Sequence, residues 1–257
     1  MSVEKLLEQT ARSTSLDRML TIMDFIEYRR VTSAEDLDQM AQIRRCAYSE
    51  ADVYANHQTS FIDDFDFDPR VFVFGVYFQG TAVATIRIHI VSKDNPISNS
   101  QYYFSSILDP LIGQGLKFMD PTRFAIAPGM DKEIPGLATI VLRLGLAAVR
   151  YFNCDFGLAM IKEGHGGFYR KVFNYSQISP PQQFSNYNPK YALYSTSRMH
   201  TDAVCENYPA MDGLHTESRM LFAQTPMGKP NVLSVRPTAR LAVRNASLKM
   251  EAMQAAE

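Results

Sequence analysis

The sequence predicts an α/β fold of the α+β type, with a mixed, mostly antiparallel, twisted sheet and helices on both faces. Two observations predict it. Two apolar runs, residues 71–78 and 81–92, are separated by only two residues, which is the pattern of an antiparallel hairpin. Further along, a segment that is apolar on nearly every side, residues 137–152, lies between short apolar runs at 118–127 and 156–162. Such a segment predicts a helix buried against a sheet, so the second half adds strand–helix–strand units.

The length and composition are those of a globular protein. The chain has 257 residues, a net charge of −1, 46% hydrophobic and 21% charged residues, which suits one domain with extensions or two small domains. The balanced charge gives no sign of a nucleic-acid partner. No apolar run of about 18 residues predicts a transmembrane segment, and the charged N-terminus lacks a secretion signal. Three widely spaced cysteines fit reduced thiols, so we expect a cytoplasmic protein.

The segment before the hairpin is predicted to contain helices, one strand and an acidic loop. Residues 2–24 predict one or two short helices, and residues 25–32 predict a strand. Ser33 then caps a helix, with Asp36 at the third position, where a carboxylate reaches back toward free amides. In the loop at residues 49–69, aspartates alternate with phenylalanines. The phenylalanines indicate that this loop is held against the domain.

The segment after the hairpin alternates helices with short strands. Residues 101–112 predict a short helix. Pro135 opens the long apolar helix at a position where its missing N–H is not needed. The later elements are predicted as a strand at 156–162, a helix at 168–173, a strand at 191–196 and a terminal helix at 237–255.

This order of elements divides the chain into three parts. Residues 1–24 form an N-terminal helical extension, residues 25–198 form the main domain, and residues 199–257 form a C-terminal extension with a terminal helix. Within the last part, residues 199–235 carry no pattern that assigns a structure.

An arginine lies in the middle of an otherwise apolar strand. The guanidinium of Arg123 cannot lose its proton, so inside a sheet it must find carboxylates. The candidates are Asp63, Asp66 and Asp120. Residues 120 and 123 face opposite ways in a straight strand, so either Asp120 precedes the strand or a bulge re-aims the two. Together with Arg87 of the hairpin, these charges either shape a substrate pocket or only tie the acidic loop to the sheet.

Four short motifs follow one another along the chain: Arg44-x-x-x-Tyr48, Asp63-x-x-Asp66, Arg87 and Asp120-x-x-Arg123. Their order and approximate spacing resemble the signature of the acyl-homoserine lactone synthases. The FeeM-type N-acyl amino acid synthases share this layout, and residues 25–197 resemble the GNAT acyltransferase fold. Lactone synthases usually have glutamate in place of Asp120, phenylalanine in place of Tyr48, and tryptophans that this chain lacks. The amino acid synthases are therefore the better match.

The resemblance implies an enzyme, an N-acyltransferase that moves a fatty acyl group from acyl carrier protein to the amine of an amino acid or related small molecule. It implies no permanently bound cofactor, because the donor is the acyl-phosphopantetheine of the carrier. Asp131 and Glu133 lie where the diphosphate of coenzyme A would bind, which argues against that donor. Positive contacts for an acidic carrier are expected from Lys132, Arg143, Arg150, Lys162, Arg170 and Lys171.

The site residues follow from these motifs and from the fold. We expect the catalytic residues to be Asp63, Asp66, Arg87, Asp120, Arg123 and Tyr169. We expect the substrate to be bound by Arg44, Tyr48, Phe124, Ala125 and Ile126. No spacing of metal ligands occurs.

The resemblance and the charges together suggest what these residues do. The pantetheine arm lies between the strands at 118–127 and 156–162, which are splayed apart. An aspartate accepts the proton of the amine or holds the amine, and Arg44 or Arg87 pairs with the carboxylate of the acceptor. Tyr169 lies where the GNAT fold often places a tyrosine that protonates the departing thiolate.

Two other functions remain open at this point. One is a lactone-forming autoinducer synthase that uses S-adenosylmethionine and releases methylthioadenosine. The other is a catalytically silent GNAT-like module that binds an acylated carrier or a lipid without turnover.

Overall fold

The protein is built on one open sheet. The computed structural model describes residues 14–55, 60–223 and 234–254. Its strands are β1 (Ile26–Arg30), β2 (Val71–Phe78), β3 (Thr81–Val91), β4 (Phe118–Ile126), β5 (Phe156–Lys162), β6 (Ser176–Gln177), β7 (Tyr191–Ser197) and β8 (Ser234–Val235). Within the described residues they form an eight-stranded sheet in the order β6-β7-β5-β4-β3-β2-β1-β8. Only β4 and β5 pair in parallel there, which confirms a mixed, mostly antiparallel sheet.

Helices cover both faces of this sheet. They are α1 (Ser15–Met23), α2 (Ala34–Glu50), α3 (Asn99–Tyr103), α4 (Ser105–Gly113), α5 (Met130–Glu133), α6 (Leu137–Tyr151), α7 (Gly166–Phe173), α8 (Arg198–Asn207), α9 (His215–Phe222) and α10 (Ala239–Gln254). Met40 and Ile43 of α2 pack with Tyr77 and Ala125 in a small cluster. The apolar stripe of α6 belongs to the large core on the other face. Across the ranges described, no helix is long and apolar enough to span a bilayer.

Two local predictions are confirmed at the level of backbone geometry. Gln79 and Gly80 join β2 to β3 with φ of 49° and 83°, so both have the left-handed conformation of a tight two-residue hairpin. Ser33 caps α2, and its hydroxyl oxygen accepts the backbone N–H of Asp36 at 3.1 Å.

Two other local predictions are wrong. The helix expected at residues 101–112 is two helices, α3 and α4, which are separated at Phe104 by a non-helical backbone. Pro135 does not open α6, because Gly136 has φ of 81° and the helix begins only at Leu137. A left-handed glycine at the helix entrance turns the chain, so the proline lies before that turn.

The terminal segments extend the same sheet and core. The helix α1 is the described part of the helices expected at residues 2–24, and residues 1–13 lie outside the described residues. The segment 199–235, which carried no readable pattern, contributes α8, α9 and β8. Strand β8 pairs with β1, so it lengthens the sheet at that edge.

A buried ion pair fastens the C-terminal helices to α6. Arg143 is 1% exposed and its guanidinium binds the carboxylate of Glu217, with Nη2 and Oε2 at 2.9 Å. Nε of Arg143 also donates to the carbonyl of Ala210, and the N–H of Thr238 donates to Glu217. The expectation that Arg143 contacts an acidic carrier is therefore wrong, since the side chain is inside the protein.

We expect Arg143→Met to lower the free energy of unfolding by about 3–5 kcal/mol, because the Glu217 carboxylate stays buried without its cation. The double variant Arg143→Met/Glu217→Leu removes both charges and should recover at least half of that loss. Urea denaturation followed by circular dichroism measures both. A double variant as unstable as the single one would contradict this role of the pair.

Candidate active site

The strands β4 and β5 diverge and leave a cleft between them. They pair only at Phe118–Phe156 and Met119–Gly157. Beyond these pairs lies a cleft of about 400 Å³, and the expected gap between the strands is present. Its walls are residues 122–126 of β4, residues 160–162 of β5, the C-terminal end of α2 with the loop after it, Asn99 and Ser100 of α3, His165 and Tyr169 at α7, and Tyr187 and Tyr191.

A β-bulge in β4 aims Arg123 toward this cleft. Between the pairs Thr85–Ala125 and Arg87–Thr122, two residues of β4 oppose one residue of β3. Arg123 is one of those two, and its φ of 51° lies in the left-handed region that non-glycine residues seldom adopt. The bulge was one of the two alternatives that the sequence left open, and it is confirmed.

Charged side chains from four separate segments meet beside the bulge. Asp63 accepts hydrogen bonds from Nη1 of Arg87 at 2.5 Å and from Nη2 of Arg123 at 2.7 Å. Asp66 binds Nη1 of Arg44 at 2.9 Å and lies 3.2 Å from Nη1 of Arg87. We call these five residues the arginine–aspartate cluster. The expected contact between Arg123 and a carboxylate of the acidic loop is therefore present.

The arginine–aspartate cluster is buried and carries one more positive than negative charge. The side chains of Arg44 and Arg87 are 0% exposed and that of Arg123 is 10% exposed. Burial opposes ionisation of Asp63, but Arg87 and Arg123 outweigh it and lower the pKa of Asp63 to about 2. Among the described residues, Nε of Arg123 and guanidinium nitrogens of Arg44 and Arg87 have no hydrogen-bond partner. These nitrogens have almost no accessible surface, so the surplus positive charge of the cluster lies inside the wall of the cleft.

Arg123 is the member of the cluster that lines the cleft. Arg44 and Arg87 have no exposed side-chain surface, so they lie behind the wall. We expected Arg44 or Arg87 to bind the carboxylate of the acceptor, but neither side chain reaches the cleft. They hold Asp66 and Asp63 instead.

Asp120 does not belong to the arginine–aspartate cluster. It lies inside β4, paired with His89, so the alternative that it precedes the strand is wrong. Its carboxylate accepts the N–H of Ser100 at 3.0 Å and the hydroxyl of Ser100 at 2.7 Å. Burial raises the pKa of Asp120 and outweighs the hydrogen bonds from Ser98 and Ser100. The expected pairing of Asp120 with Arg123 is wrong because the bulge separates their directions.

Tyrosines that the sequence reasoning missed form one end of the cleft. The hydroxyl of Tyr54 accepts a hydrogen bond from Nη1 of Arg123 at 2.8 Å. Its ring stacks on that of Tyr187, with centroids 5.2 Å apart, and Tyr187 packs against Tyr191. Tyr54 and Tyr187 also form an isolated bridge between two loops. Single tyrosines in two irregular segments form no sequence pattern, so this wall could be identified only from the tertiary structure.

Two expected tyrosines do lie at the cleft. The hydroxyl of Tyr48 donates to the carbonyl of Phe124 at 3.1 Å, which ties α2 to the bulge. Tyr169 also lines a smaller apolar cavity of about 20 Å³ with Leu142 and Leu146 of α6. Burial raises the pKa of Tyr169 to about 12, so the phenol keeps its proton. In the described parts of the chain, no three acidic, histidine or cysteine side chains are grouped to hold a metal ion.

Comparison with known families gives a match that includes this site. The profile of the family described as N-acyl amino acid synthase FeeM matches residues 39–197, more than half of the 257 residues. That range contains the arginine–aspartate cluster, the bulge and the cleft. A search of curated protein sequences returned no match.

Solved structures show the same fold. FeeM, an N-acyl amino acid synthase from uncultured soil microbes, has a TM-score of 0.57 at 18% identity, covering 69% of this chain and 93% of FeeM. The AHL synthase LasI has a TM-score of 0.50 at 12% identity, covering 79% of this chain and 97% of LasI. At these identities the likeness concerns the fold, and the expected GNAT-like acyltransferase fold is confirmed.

We expect Asp66→Asn to lower the free energy of unfolding by about 3–5 kcal/mol, because it leaves two fully buried arginines with too little negative charge. Asp68→Asn is the matched control. Asp68 pairs with Arg70, whose side chain is 60% exposed, so a much smaller loss is expected. Urea unfolding measures both, and equal losses would show that the cluster does not stabilise the fold.

Proposed function

The chain belongs to the FeeM family of N-acyl amino acid synthases and is an N-acyltransferase; from this premise we propose that it moves an acyl group from acyl carrier protein to the amine of an amino acid, in the cytoplasm. The observation that carries the proposal is the cleft between β4 and β5, with the guanidinium of Arg123 in its wall. An open strand edge suits an amide-containing donor, and the surplus positive charge of the arginine–aspartate cluster suits a carboxylate-bearing acceptor.

The donor lies along the open edge of β4. Pantetheine contains amide groups, which can pair with strand backbone as a neighbouring strand would. The N–H of Ala127 donates to the carbonyl of Val83 on the β3 side. Because antiparallel ladders alternate, the N–H of Ile126 points to the opposite side, toward the cleft. This N–H stabilises the carbonyl oxygen of the thioester as it gains negative charge.

The acyl chain extends toward the apolar end of the gap. Leu142, Leu146 and Tyr169 border the cavity of about 20 Å³ there, between the diverging strands and α6, and these side chains must move apart to admit an acyl chain. No charged side chain is among its lining residues. Burial of methylene groups in such surroundings is favourable by about 0.8 kcal/mol for each group.

Arg123 binds the carboxylate of the acceptor. Its Nη atoms bind Tyr54 and Asp63 and its Nε is buried, so the carboxylate approaches the 10% of the side chain that stays exposed in the wall of the cleft. The surplus positive charge of the arginine–aspartate cluster favours an incoming anion, because a buried charge needs compensation. The amine of the acceptor then points along the cleft toward the thioester.

The reaction forms one bond and breaks one. The neutral amine attacks the thioester carbon, the C–N bond forms, and the C–S bond breaks with the electron pair leaving on sulfur. Tyr169 gives its proton to the thiolate and recovers one, through water, from the nitrogen of the new amide. Burial raises the pKa of Tyr169 to about 12, so the phenol is protonated near neutral pH and has a proton to give.

The loop after β4 supports a carrier protein as the donor rather than free coenzyme A. Asp131 and Glu133 are exposed near the N-terminus of α6, where they repel a diphosphate. Lys162 lines the cleft, and Arg170 and Lys171 are exposed on α7 beside it. These cations attract the acidic surface of a carrier protein.

The direct test incubates the protein with acyl carrier proteins of graded chain length and a panel of the twenty amino acids, followed by mass spectrometry. We expect an N-acyl amino acid and the free thiol of the carrier. If methylthioadenosine appears when S-adenosylmethionine is supplied, the chain is a lactone synthase instead. Folded protein that binds the carrier but forms no amide would count against the proposal and favour a silent binding module.

We expect Arg123→Gly to raise the KM for the amino acid about 10- to 100-fold, the range for a lost hydrogen bond to a charged group. Glycine tolerates the φ of 51°, so this variant removes the guanidinium without straining the bulge. Arg70→Ala is the control, since Arg70 is exposed and pairs only with Asp68 among the described residues. The wild type should prefer an amino acid to its amide, and loss of that preference in Arg123→Gly identifies the carboxylate contact. An unchanged preference would remove Arg123 from acceptor binding.

A further inference from the structure

A buried carboxylate without a cation stands beside the cleft. Asp120 is 0% exposed, and within the described ranges it forms no ion pair. Its partners are the serines before and within α3. Burying a carboxylate without a cation is unfavourable by several kcal/mol. An apolar side chain could fill the position of Asp120 without this cost. A chemical use of the group accounts for it.

Ser100 stands between this carboxylate and the cleft. It lies in the first turn of α3, and both its N–H and its hydroxyl donate to Asp120. Ser100 is among the residues that line the cleft, whereas Asp120 is not. The hydroxyl therefore holds Asp120 through its hydrogen and keeps its oxygen lone pairs available to a group in the cleft.

The other aspartates of the site are committed to arginines. Asp63 binds Arg87 and Arg123, which lower its pKa to about 2, so it accepts protons poorly near neutral pH. Asp66 is fully buried between Arg44 and Arg87. Asp120 differs in having hydroxyl and amide donors as partners, and burial raises its pKa, whereas the arginines lower the pKa of Asp63.

We propose that the Ser100 hydroxyl relays a proton from the ammonium group of the acceptor to Asp120. The inference rests on the proposed acyl transfer to an amino acid. The N–H of the ammonium gives its proton to Oγ of Ser100, while Oγ of Ser100 gives its own proton to Oδ1 of Asp120. The amine becomes neutral, Ser100 is regenerated, and Asp120 becomes a carboxylic acid. After acyl transfer the proton leaves for solvent by the same route in reverse.

The test compares two acceptors that differ in protonation. One is the amino acid that the wild type acylates fastest. The other is its aminooxy counterpart, in which –O–NH2 replaces the α-amine and the nitrogen is already unprotonated at neutral pH. We expect Ser100→Ala to lower kcat/KM for the amino acid about 10²- to 10⁴-fold. The same variant should lower kcat/KM for the aminooxy acid far less.

Two further variants separate the relay from a structural role. Gln101→Ala removes a hydrogen bond between α3 and α4, where Nε2 of Gln101 donates to Oδ1 of Asp109 at 2.8 Å, but Gln101 is not a partner of Asp120 and does not line the cleft. It should lower the melting temperature and leave the ratio of the two acceptor rates unchanged. Asp120→Asn retains an acceptor for the N–H of Ser100 but is no base, so its ratio should shift as in Ser100→Ala.

The other possible results also distinguish the proton relay from its alternatives. Equal losses with both acceptors in Ser100→Ala would mean that Ser100 only supports the wall, and the relay is then wrong. A shifted ratio in His165→Gln with none in Ser100→Ala would assign the base to His165, the histidine that lines the cleft. If the wild type forms an amide with neither acceptor, the proposed function fails and the relay fails with it.

Discussion

The buried attraction between three arginines and two aspartates is the interaction on which the site depends. Asp63 and Asp66 come from a loop, Arg44 from α2, Arg87 from β3 and Arg123 from β4. None of these charges is tolerable alone in the interior, so they must meet. The ion pairs hold the acidic loop against the sheet, and they place charged groups in and behind the wall of the cleft. The surplus positive charge is the feature on which the proposed binding of the acceptor carboxylate rests.

The bulge and the divergence of β4 from β5 are two parts of one arrangement. Beyond the two pairs with β5, no strand of the described residues pairs with β4 on that side, and the bulge begins within this unpaired stretch. An inserted residue is accommodated where it disturbs no second ladder. The left-handed conformation of Arg123 is unfavourable for a non-glycine residue, and the contacts to Asp63 and Tyr54 hold it there. The strained backbone and the proposed contact with the acceptor therefore belong to the same residue.

Much of the fold could be predicted from short-range physics. The hairpin turn, the cap at Ser33, the apolar helix and the strands beside it follow from periodicity and turn chemistry over a few residues. Predictions failed where tertiary contacts decide. The helix near Phe104 breaks, and Arg143, read as a surface cation, lies buried against Glu217 from a segment with no readable pattern. A partner 74 positions away leaves no trace in local composition.

The sequence by itself determined the element order, the mixed sheet, and the need of Arg123 for a carboxylate, because propensity and the charge of a guanidinium do not depend on context. Only the tertiary structure decided which carboxylate it takes. The bulge turns Arg123 to Asp63 and leaves Asp120 to Ser100. It also decided that Arg44 and Arg87 lie behind the wall and that Tyr54 and Tyr187 form its end. The physical reason is that direction and exposure come from packing between distant segments, which no local pattern records.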